Sequence, residues 1–486
     1  MKTYIKKAAL GLLLFGLLFS TYSCAVNPVT GRQELMLLSE ANEINLGRQT
    51  DTQVVQEYGI YGDAKLIAYL NDMCQRIGKI SHRPNLTYHF RILDASVVNA
   101  FAVPGGYVYF TRGILASLNS EAELAGVMGH EIGHITARHS AQQYSKAQLA
   151  QVGLIGLGMA LPDAFSSLTG LAQLGVGMLF LRFSRDNERQ ADDLGVEYSS
   201  RRGYDASQMA NFFETLERMN PGSDRSGLPG WFSTHPNPED RIKAVRARAK
   251  EWQDRTGRRD LAINRDAYLK HIDGLVHGDD PRQGYVEENI FYHPELRFQF
   301  PVPANWKINN TPSNVQMLSE GQEAVILFYM TTGTSSNEAA RTFVSKTGAQ
   351  VIKAEAIQVN TLPSNRVLSD IQTQKGVIRA MSYFIQREKQ IFVFHGLTSP
   401  GLYQKYGSIF EKTMRAFKEL SDAKKIGVKP DRIRIHTIRR TDTLENALRS
   451  FGVPNGEMKE AALLNGKNLN DTIPANTLIK VVEKGR

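Results

Sequence analysis

The sequence predicts an α+β protein in three folded parts: a mainly helical first half with a small sheet, an α+β middle, and a small βααβ module at the end. Three observations lead there. Apolar residues recur at helical spacing from Leu66 to Ile77 and again from Leu124 to Ile135. Short β-like runs bounded by turn residues lie between those helices and return as LRFQFPV, AVILFYM and QIFVFHGL. The final stretch reads strand, helix, helix, strand. A chain of 486 residues has room for two or three cores, and its ordinary globular composition singles out no function.

Taken in order, the first residues read as a secretory leader. Lys2, Lys6 and Lys7 precede an unbroken apolar run from Ala8 to Phe19, and small or polar residues follow, the layout of a signal peptide. A permanent anchor needs roughly 20 apolar residues, more than this run offers. Residues 1–23 are therefore expected to be removed. Cys24, between Ser23 and Ala25, resembles the modified cysteine of bacterial lipoproteins, although Thr21 stands where a bulky aliphatic residue is usual. The alternative is an ordinary cysteine beside a standard cleavage site. The resemblance implies a lipid on Cys24, a periplasmic location and, with Ala25 rather than an aspartate, sorting to the outer membrane. Cys74 lies among apolar neighbours and reads as a small buried hydrophobe, so neither a disulfide nor a cysteine-rich zinc site is expected. The formal charge of +9 falls to +6 without the three leader lysines. Such an excess suits a solvated surface in an anionic envelope. No basic stripe with interleaved aromatics is present, which argues against a nucleic-acid partner.

From Asn27 to about Gly47 the chain runs from a turn into a helix, with Ser39 placed to cap it ahead of Glu40 and Glu43. A second helix covers roughly Lys65 to Ile80. Thr87–Leu93 and the stretch from Val97 are strand-like, and Pro104-Gly105-Gly106 marks the turn of a hairpin. That hairpin is either plain scaffold or an edge that pairs with an extended substrate. Ser120, followed by Glu121 and Glu123, starts a well-specified helix. Leu149 to Leu181 forms two apolar stretches broken at Pro162-Asp163 and Ser166-Ser167. Each half has about 14 apolar-leaning residues, a length that favours buried helices over a membrane hairpin.

The first domain should span 24–255. Charged DRTGRRD and polar HGDDPRQG mark a connector over 256–284. Residues 285–422 form an α+β domain whose sheet should be antiparallel, and it shows no catalytic constellation. Residues 430–486 follow a lysine-rich stretch, and HTIRRTDTLENALRSFG, MKEAALLNG and NDTIPANTLIKVV resemble a LysM module. That resemblance implies contact with peptidoglycan or chitin, although Thr441 and Asn476 replace glycines; a structural cap is the alternative.

The chemistry concentrates in HEIGH, residues 130–134. On a helix, positions i and i+4 share a face, so His130 and His134 can converge on one ion while Glu131 reaches a water beside it. A catalytic zinc site needs three protein ligands and one open position. SRDNERQADDLG supplies the third candidate in Glu188, with Asp192 four residues on and on the same helical face. Asp192 would then accept a hydrogen bond from a ligand histidine and fix its tautomer.

HEIGH followed 54 residues beyond His134 by the E-x-x-A-D of Glu188 to Asp192, preceded by NAFAVPGGYVYFTRG and followed by STHPNPEDR, resembles the gluzincin metallopeptidases related to HtpX and the CAAX prenyl proteases. The NPVTGR opening resembles their exported bacterial members. The resemblance covers approximately 24–250 and implies a zincin-type fold with one Zn2+ held by His130, His134 and Glu188. It further implies Glu131 as general base and proton donor, and Asn99 and Ala100 on a substrate-pairing edge strand. His235 would stabilise the oxyanion or close the open metal position in a latent state, with Arg241 supporting substrate in the same region. His139 falls off the ligand face and reads as structural.

The expected function is a zinc-dependent endopeptidase of the bacterial envelope acting on extended or misfolded proteins. The competing reading is an assembly or chaperone-like factor with a latent zinc site and a wall-binding tail. A peptidoglycan amidase fits least, because the zinc motifs match peptidases.

Overall fold

The computed structural model describes residues 24–156, 183–219, 230–231, 235, 240–373 and 376–485. The expected leader, the segment 157–182 within the two apolar stretches, and most of STHPNP lie outside the described residues. No described helix is long and apolar enough to cross a membrane.

The described residues fold as an α+β protein in two compact units, one drawn from 24–278 with 432–483, the other from 279–431 with 484–485. The first unit opens with a ribbon of β1 (Cys24–Val26) and β2 (Gln33–Leu35). Asn27 turns the chain between them, its Oδ1 accepting from Val29 N at 2.8 Å and its Nδ2 donating to Ala137 O at 3.4 Å. Helix α1 (Glu40–Tyr58) starts where expected, with Ser39 accepting from Asn42 N. Helix α2 (Ala64–Gly78) buries Leu66, Leu70, Met73, Cys74 and Ile77. Strands β3 (His89–Leu93), β4 (Ala100–Val103) and β5 (Tyr107–Thr111) form a sheet in the order β3-β5-β4, with β3 parallel and β4 antiparallel to β5. Gly105 and Gly106 make the β4–β5 turn at φ 81° and 97°, where a Cβ would strike the backbones of Ile44 and Thr87.

Short α3 (Arg112–Ser117) leads into α4 (Glu121–Thr136), which carries HEIGH and is buried along its whole length. It is followed by α5 (His139–Gly156), α6 (Arg185–Arg201), α7 (Gln208–Met219), α8 (Arg241–Thr256) and α9 (Arg265–His271). Residues 256–284, expected to act as a connector, include α9, whose Tyr268 and Leu269 are buried in the core of the first unit.

The second unit has a four-stranded antiparallel sheet and a seven-stranded antiparallel one. The smaller runs β16-β8-β7-β6, from β6 (Tyr285–Glu287), β7 (Ile290–His293), β8 (Phe298–Pro301) and β16 (Lys418–Glu419). The larger is ordered β12-β13-β14-β15-β11-β10-β9, from β9 (Lys307–Asn310), β10 (Asn314–Leu318), β11 (Ala324–Thr332), β12 (Gln350–Val359), β13 (Leu362–Thr373), β14 (Gly376–Arg387) and β15 (Gln390–Thr398). Helices α10 (Ser336–Thr347) and α11 (Tyr403–Arg415) pack on it. Alternation in LRFQFPV turns Phe298 and Phe300 into an aromatic core with Phe328, Phe392, Phe394 and Phe417. A short turn of helix, α12 (Ala423–Ile426), precedes the tail.

The tail has the expected βααβ order. Its elements are β17 (Arg432–Thr437), β18 (Asp442–Thr443), α13 (Leu444–Ser450), α14 (Met458–Leu464), β19 (Thr472–Ile473) and β20 (Leu478–Glu483), with β17 and β20 paired antiparallel. It has a small core of its own, yet Ile433 and Leu464 belong to the core of the first unit.

Candidate metal centre

The site is built where α4 and α6 touch. Ser120 caps α4 by accepting from Glu123 N, and Ser184 caps α6 in a reciprocal box with Asn187. Glycines let the two helices approach backbone to backbone. A Cβ on Gly195 would lie 2.9 Å from Gly126 O and 3.1 Å from His130 N, and one on Gly133 would lie 3.1 Å from Leu194 Cβ. This close contact brings the Glu188 and Asp192 face of α6 onto the HEIGH face of α4.

His130, His134, Glu188 and His235 each offer one donor atom, all within 4.8 Å of one another, and all four side chains are buried. The Nε2 atoms of His130 and His134 are 3.1 Å apart. Two nitrogens about 2 Å from one tetrahedral ion stand about 3.3 Å apart, so the pair is spaced as two zinc ligands would be. Glu188 Oε1 lies 3.5 Å from His134 Nε2 and 3.0 Å from His235 Nδ1, and Oε2 lies 3.7 Å from His130 Nε2. Glu131 faces the same space, 3.6 Å from His235 Nε2. Neither of its carboxylate oxygens has a hydrogen-bond partner among the described residues, nor has His235 Nε2. Buried acceptors without donors are rare in proteins. Two histidines and a carboxylate, with a bare buried carboxylate beside them, form a donor set that fits a catalytic zinc ion.

Around the donors stands a layer that orients them. Asp192 Oδ1 is 2.9 Å from His130 Nδ1, which leaves His130 Nε2 free for a metal. Arg241 donates from Nε to Asp192 Oδ2 and from Nη2 to Asp192 Oδ1, both at 2.7 Å, and its Nη1 lies 3.2 Å from Glu188 Oε2. Arg241, expected among the substrate-binding residues, is buried, with its guanidinium against these two carboxylates.

His139 was expected to be structural; its Nδ1 meets His134 Nδ1 at 2.9 Å, while its Nε2 meets Gln190 Oε1 at 2.9 Å. It therefore does for His134 what Asp192 does for His130. Phe183 stacks on His134 with centroids 4.0 Å apart, and Trp231 stacks on His235 at 4.3 Å. Sequence reasoning missed both rings; the only signal was their nearness to the motifs.

The charges of the site follow from burial set against close partners. Burial raises the Glu131 carboxyl above its ordinary value, against the pull of His235 and His130. Burial would also raise Asp192, but Arg241 and His130 bring it down to about 2. Glu188 is likewise held below the usual carboxylate value, because His235 and Arg241 outweigh its burial. Burial, then the neighbouring His130 and His139, holds His134 far below the usual imidazole value, so it is a neutral donor. His235 goes the other way, its burial outweighed by Glu188 and Glu131.

Ala100 begins β4 and Asn99 directly precedes it; β4 is an edge strand that pairs only with β5 among the described strands. Asn99 O accepts from Thr111 N at 3.0 Å, and Trp231 N donates to Val98 O at 2.9 Å. The hairpin thus contacts the segment that carries His235. Cys24 stands in β1, opposite Leu35.

Residues 64–249 match the model of Peptidase family M48. Among similar proteins, the chain is 33% identical over 235 residues to the beta-barrel assembly-enhancing protease of Escherichia coli (strain K12), covering 46% of this chain and 47% of that one. It is 27% identical over 254 residues to the mitochondrial metalloendopeptidase OMA1 of Homo sapiens, covering 49% and 48%. The mitochondrial metalloendopeptidase OMA1 of Arabidopsis thaliana is 32% identical over 166 residues, covering 34% and 32%. The chain spans about half the length of the first two relatives and a third of the last. Residues 64–249, the stretch that matches the Peptidase family M48 model, carry every donor of the cluster together with Glu131 and Arg241.

Proposed function

We propose that the protein is a zinc-dependent endopeptidase of the bacterial cell envelope that hydrolyses extended or misfolded polypeptides. One observation carries the reading: three donors spaced for a single ion stand beside a buried carboxylate that has no hydrogen-bond partner among the described residues. Zinc, when bound, supplies a Lewis acid that makes water acidic enough to lose a proton near neutral pH and draws charge from the scissile carbonyl.

The remaining work belongs to side chains. Glu131 takes the proton of the attacking water and returns it to the leaving amine. Asp192, itself held by Arg241, keeps His130 in the tautomer that presents Nε2. His235 offers Nε2 as a donor toward the oxygen on which charge develops, a contribution of about 3 to 4 kcal/mol for a well-placed group. The edge of β4 that is unpaired among the described strands, with Asn99 directly before it and Ala100 at its start, would pair with the backbone of an extended chain and leave its side chains unread, which suits unfolded substrates. The names of the bacterial relatives support β-barrel assembly as the setting. A lipid on Cys24, outer-membrane attachment and contact of the tail with peptidoglycan complete the proposal.

A second reading draws on His235. Its Nδ1 lies 3.3 Å from His130 Nε2 as well as 3.0 Å from Glu188, close enough to complete a four-donor set and keep the site latent while the protein acts as an assembly factor. Glu131→Gln separates the readings. It should keep its zinc and lose cleavage of an unfolded protein by at least about a hundredfold. Unchanged turnover would remove Glu131 from the mechanism, and full complementation of a deletion strain by Glu131→Gln would favour the assembly factor.

A further inference from the structure

The last strand of the chain reaches into the root of the metal-binding helix. Lys480 of β20 is wholly buried, and its Nζ donates to Ala116 O at 2.7 Å and Leu118 O at 2.9 Å. Lysine is almost never buried without partners. Here the partners are carbonyls at the end of α3, which lack acceptors' usual mates at a helix C-terminus. Asn465, just after α14, holds the Lys480 backbone from both sides, accepting from its N–H at 2.8 Å and donating to its carbonyl at 2.8 Å.

Glu123 borders the same buried space and feels the charge of Lys480. Its carboxylate accepts from Asn119 N at 2.6 Å while its own N–H donates to Ser120 Oγ at 3.1 Å, so it closes the cap of α4. Burial pushes Glu123 up to about 7, against the pull of the Asn119 amide and Lys480.

Further contacts fix the tail to the first half of the chain. Arg265 of α9 donates to Leu478 O at 2.7 Å, and Arg218 of α7 donates to Lys467 O at 2.5 Å. Gly274 N meets Ile433 O at 2.8 Å and Ile433 N meets Leu275 O at 2.9 Å, so β17 is stitched to the segment after α9. Glu123 and His130 are seven residues apart, two helical turns on one face, or about 10.5 Å along α4. A helix is stiff over that length, so a shift at its root is carried to the ligand histidines.

We propose that Arg432–Glu483 is a built-in clasp of the M48 domain, and that Lys480 is a positioning residue which sets His130 and His134 through the start of α4. The proposal rests on the zinc endopeptidase reading of the site. It requires the tail for metal binding, whatever else the tail does.

The test uses the full chain with Lys480→Met, which keeps the length of the side chain and removes its donors. Cleavage of an unfolded protein is measured well below the melting temperature, and zinc affinity by competition with a chelator. Expected are a fall in kcat of about tenfold with KM nearly unchanged, a comparable loss of zinc affinity, and faster hydrogen exchange at the first amides of α4. Glu123→Gln, which keeps the shape of the cap, should move the same three readouts in the same direction and serves if Lys480→Met does not fold. Glu483→Gln, on an exposed side chain of the same strand, is the control. A lowered melting temperature with kcat, zinc affinity and exchange unchanged in a folded variant would make Lys480 merely structural and overturn the proposal. If the unaltered chain binds zinc but cleaves nothing, the endopeptidase reading fails, while the affinity and exchange measurements still decide the clasp.

Discussion

At the scale of single residues, the site is a chain of dependence running from Arg241 through Asp192 to His130. Each link is buried, and each lowers the cost of burying the next: Arg241 neutralises Asp192, and Asp192 fixes the imidazole. Asp192→Asn should therefore keep the fold and weaken zinc binding by about 10- to 100-fold, read by chelator competition. Equal affinity in the variant would detach Asp192 from the metal. The same chain shows what was readable in the sequence. His130, His134, Glu188 and Asp192 could be named because their i,i+4 spacing is that of one helical face. His139 could not be given its role, since five residues from His134 carries it off that face, and only the turn after α4 returns its ring to His134. Phe183 and Trp231 belong to separate segments that meet the ligands only through tertiary packing.

At the scale of elements, the decisive contact is α4 against α6. Gly195 lies against Gly126 O and His130 N so closely that a methyl group must move backbone rather than a flexible side chain. Gly195→Ala should destabilise the first unit by about 1 to 3 kcal/mol, measured by denaturant unfolding, and lower zinc affinity as Glu188 retreats from the histidines. A variant with unaltered stability would show that the helices have slack. Nothing in the string DDLGVEY distinguishes this glycine from a tolerated one, because the constraint comes from a helix more than sixty residues earlier. The tail shows the same limit. Its βααβ order was legible from turn residues and apolar runs, but LIKVV reads as a strand with one solvated lysine. In the structure Ile479 and Val481 face the small core of the tail while Lys480 is buried on the other side.

At the scale of the whole molecule, acid should loosen the second unit through its histidines. The second unit holds two histidines, half-buried His293 and buried His395, whose pKa values are lowered by desolvation to about 4. His395 is held between Ser382 Oγ at 2.7 Å and the Tyr329 hydroxyl at 3.1 Å, with its ring stacked on Phe343. An unfolded histidine titrates near 6.5. Below that pH the unfolded chain binds protons that the native unit refuses, so stability is complete above about 6.5 and falls as the pH drops toward about 4. For His395 the loss is about 3 kcal/mol. His395→Gln should flatten the decline in stability between about pH 7 and pH 4.5, followed by chemical denaturation, and an unchanged slope would exclude His395 as its source.

The chain crosses from the first unit to the second after Gly278 and returns at Arg432, where a bridge joins Val276 to Arg432. In the order of translation, the strand that seats Lys480 is made only after the entire intervening unit. A polypeptide still being synthesised, or one broken off before Leu478, has HEIGH and ERQAD but no Lys480 at the base of the helix that bears HEIGH. If Lys480 is the clasp, such a chain would keep a loose metal site until that strand is in place.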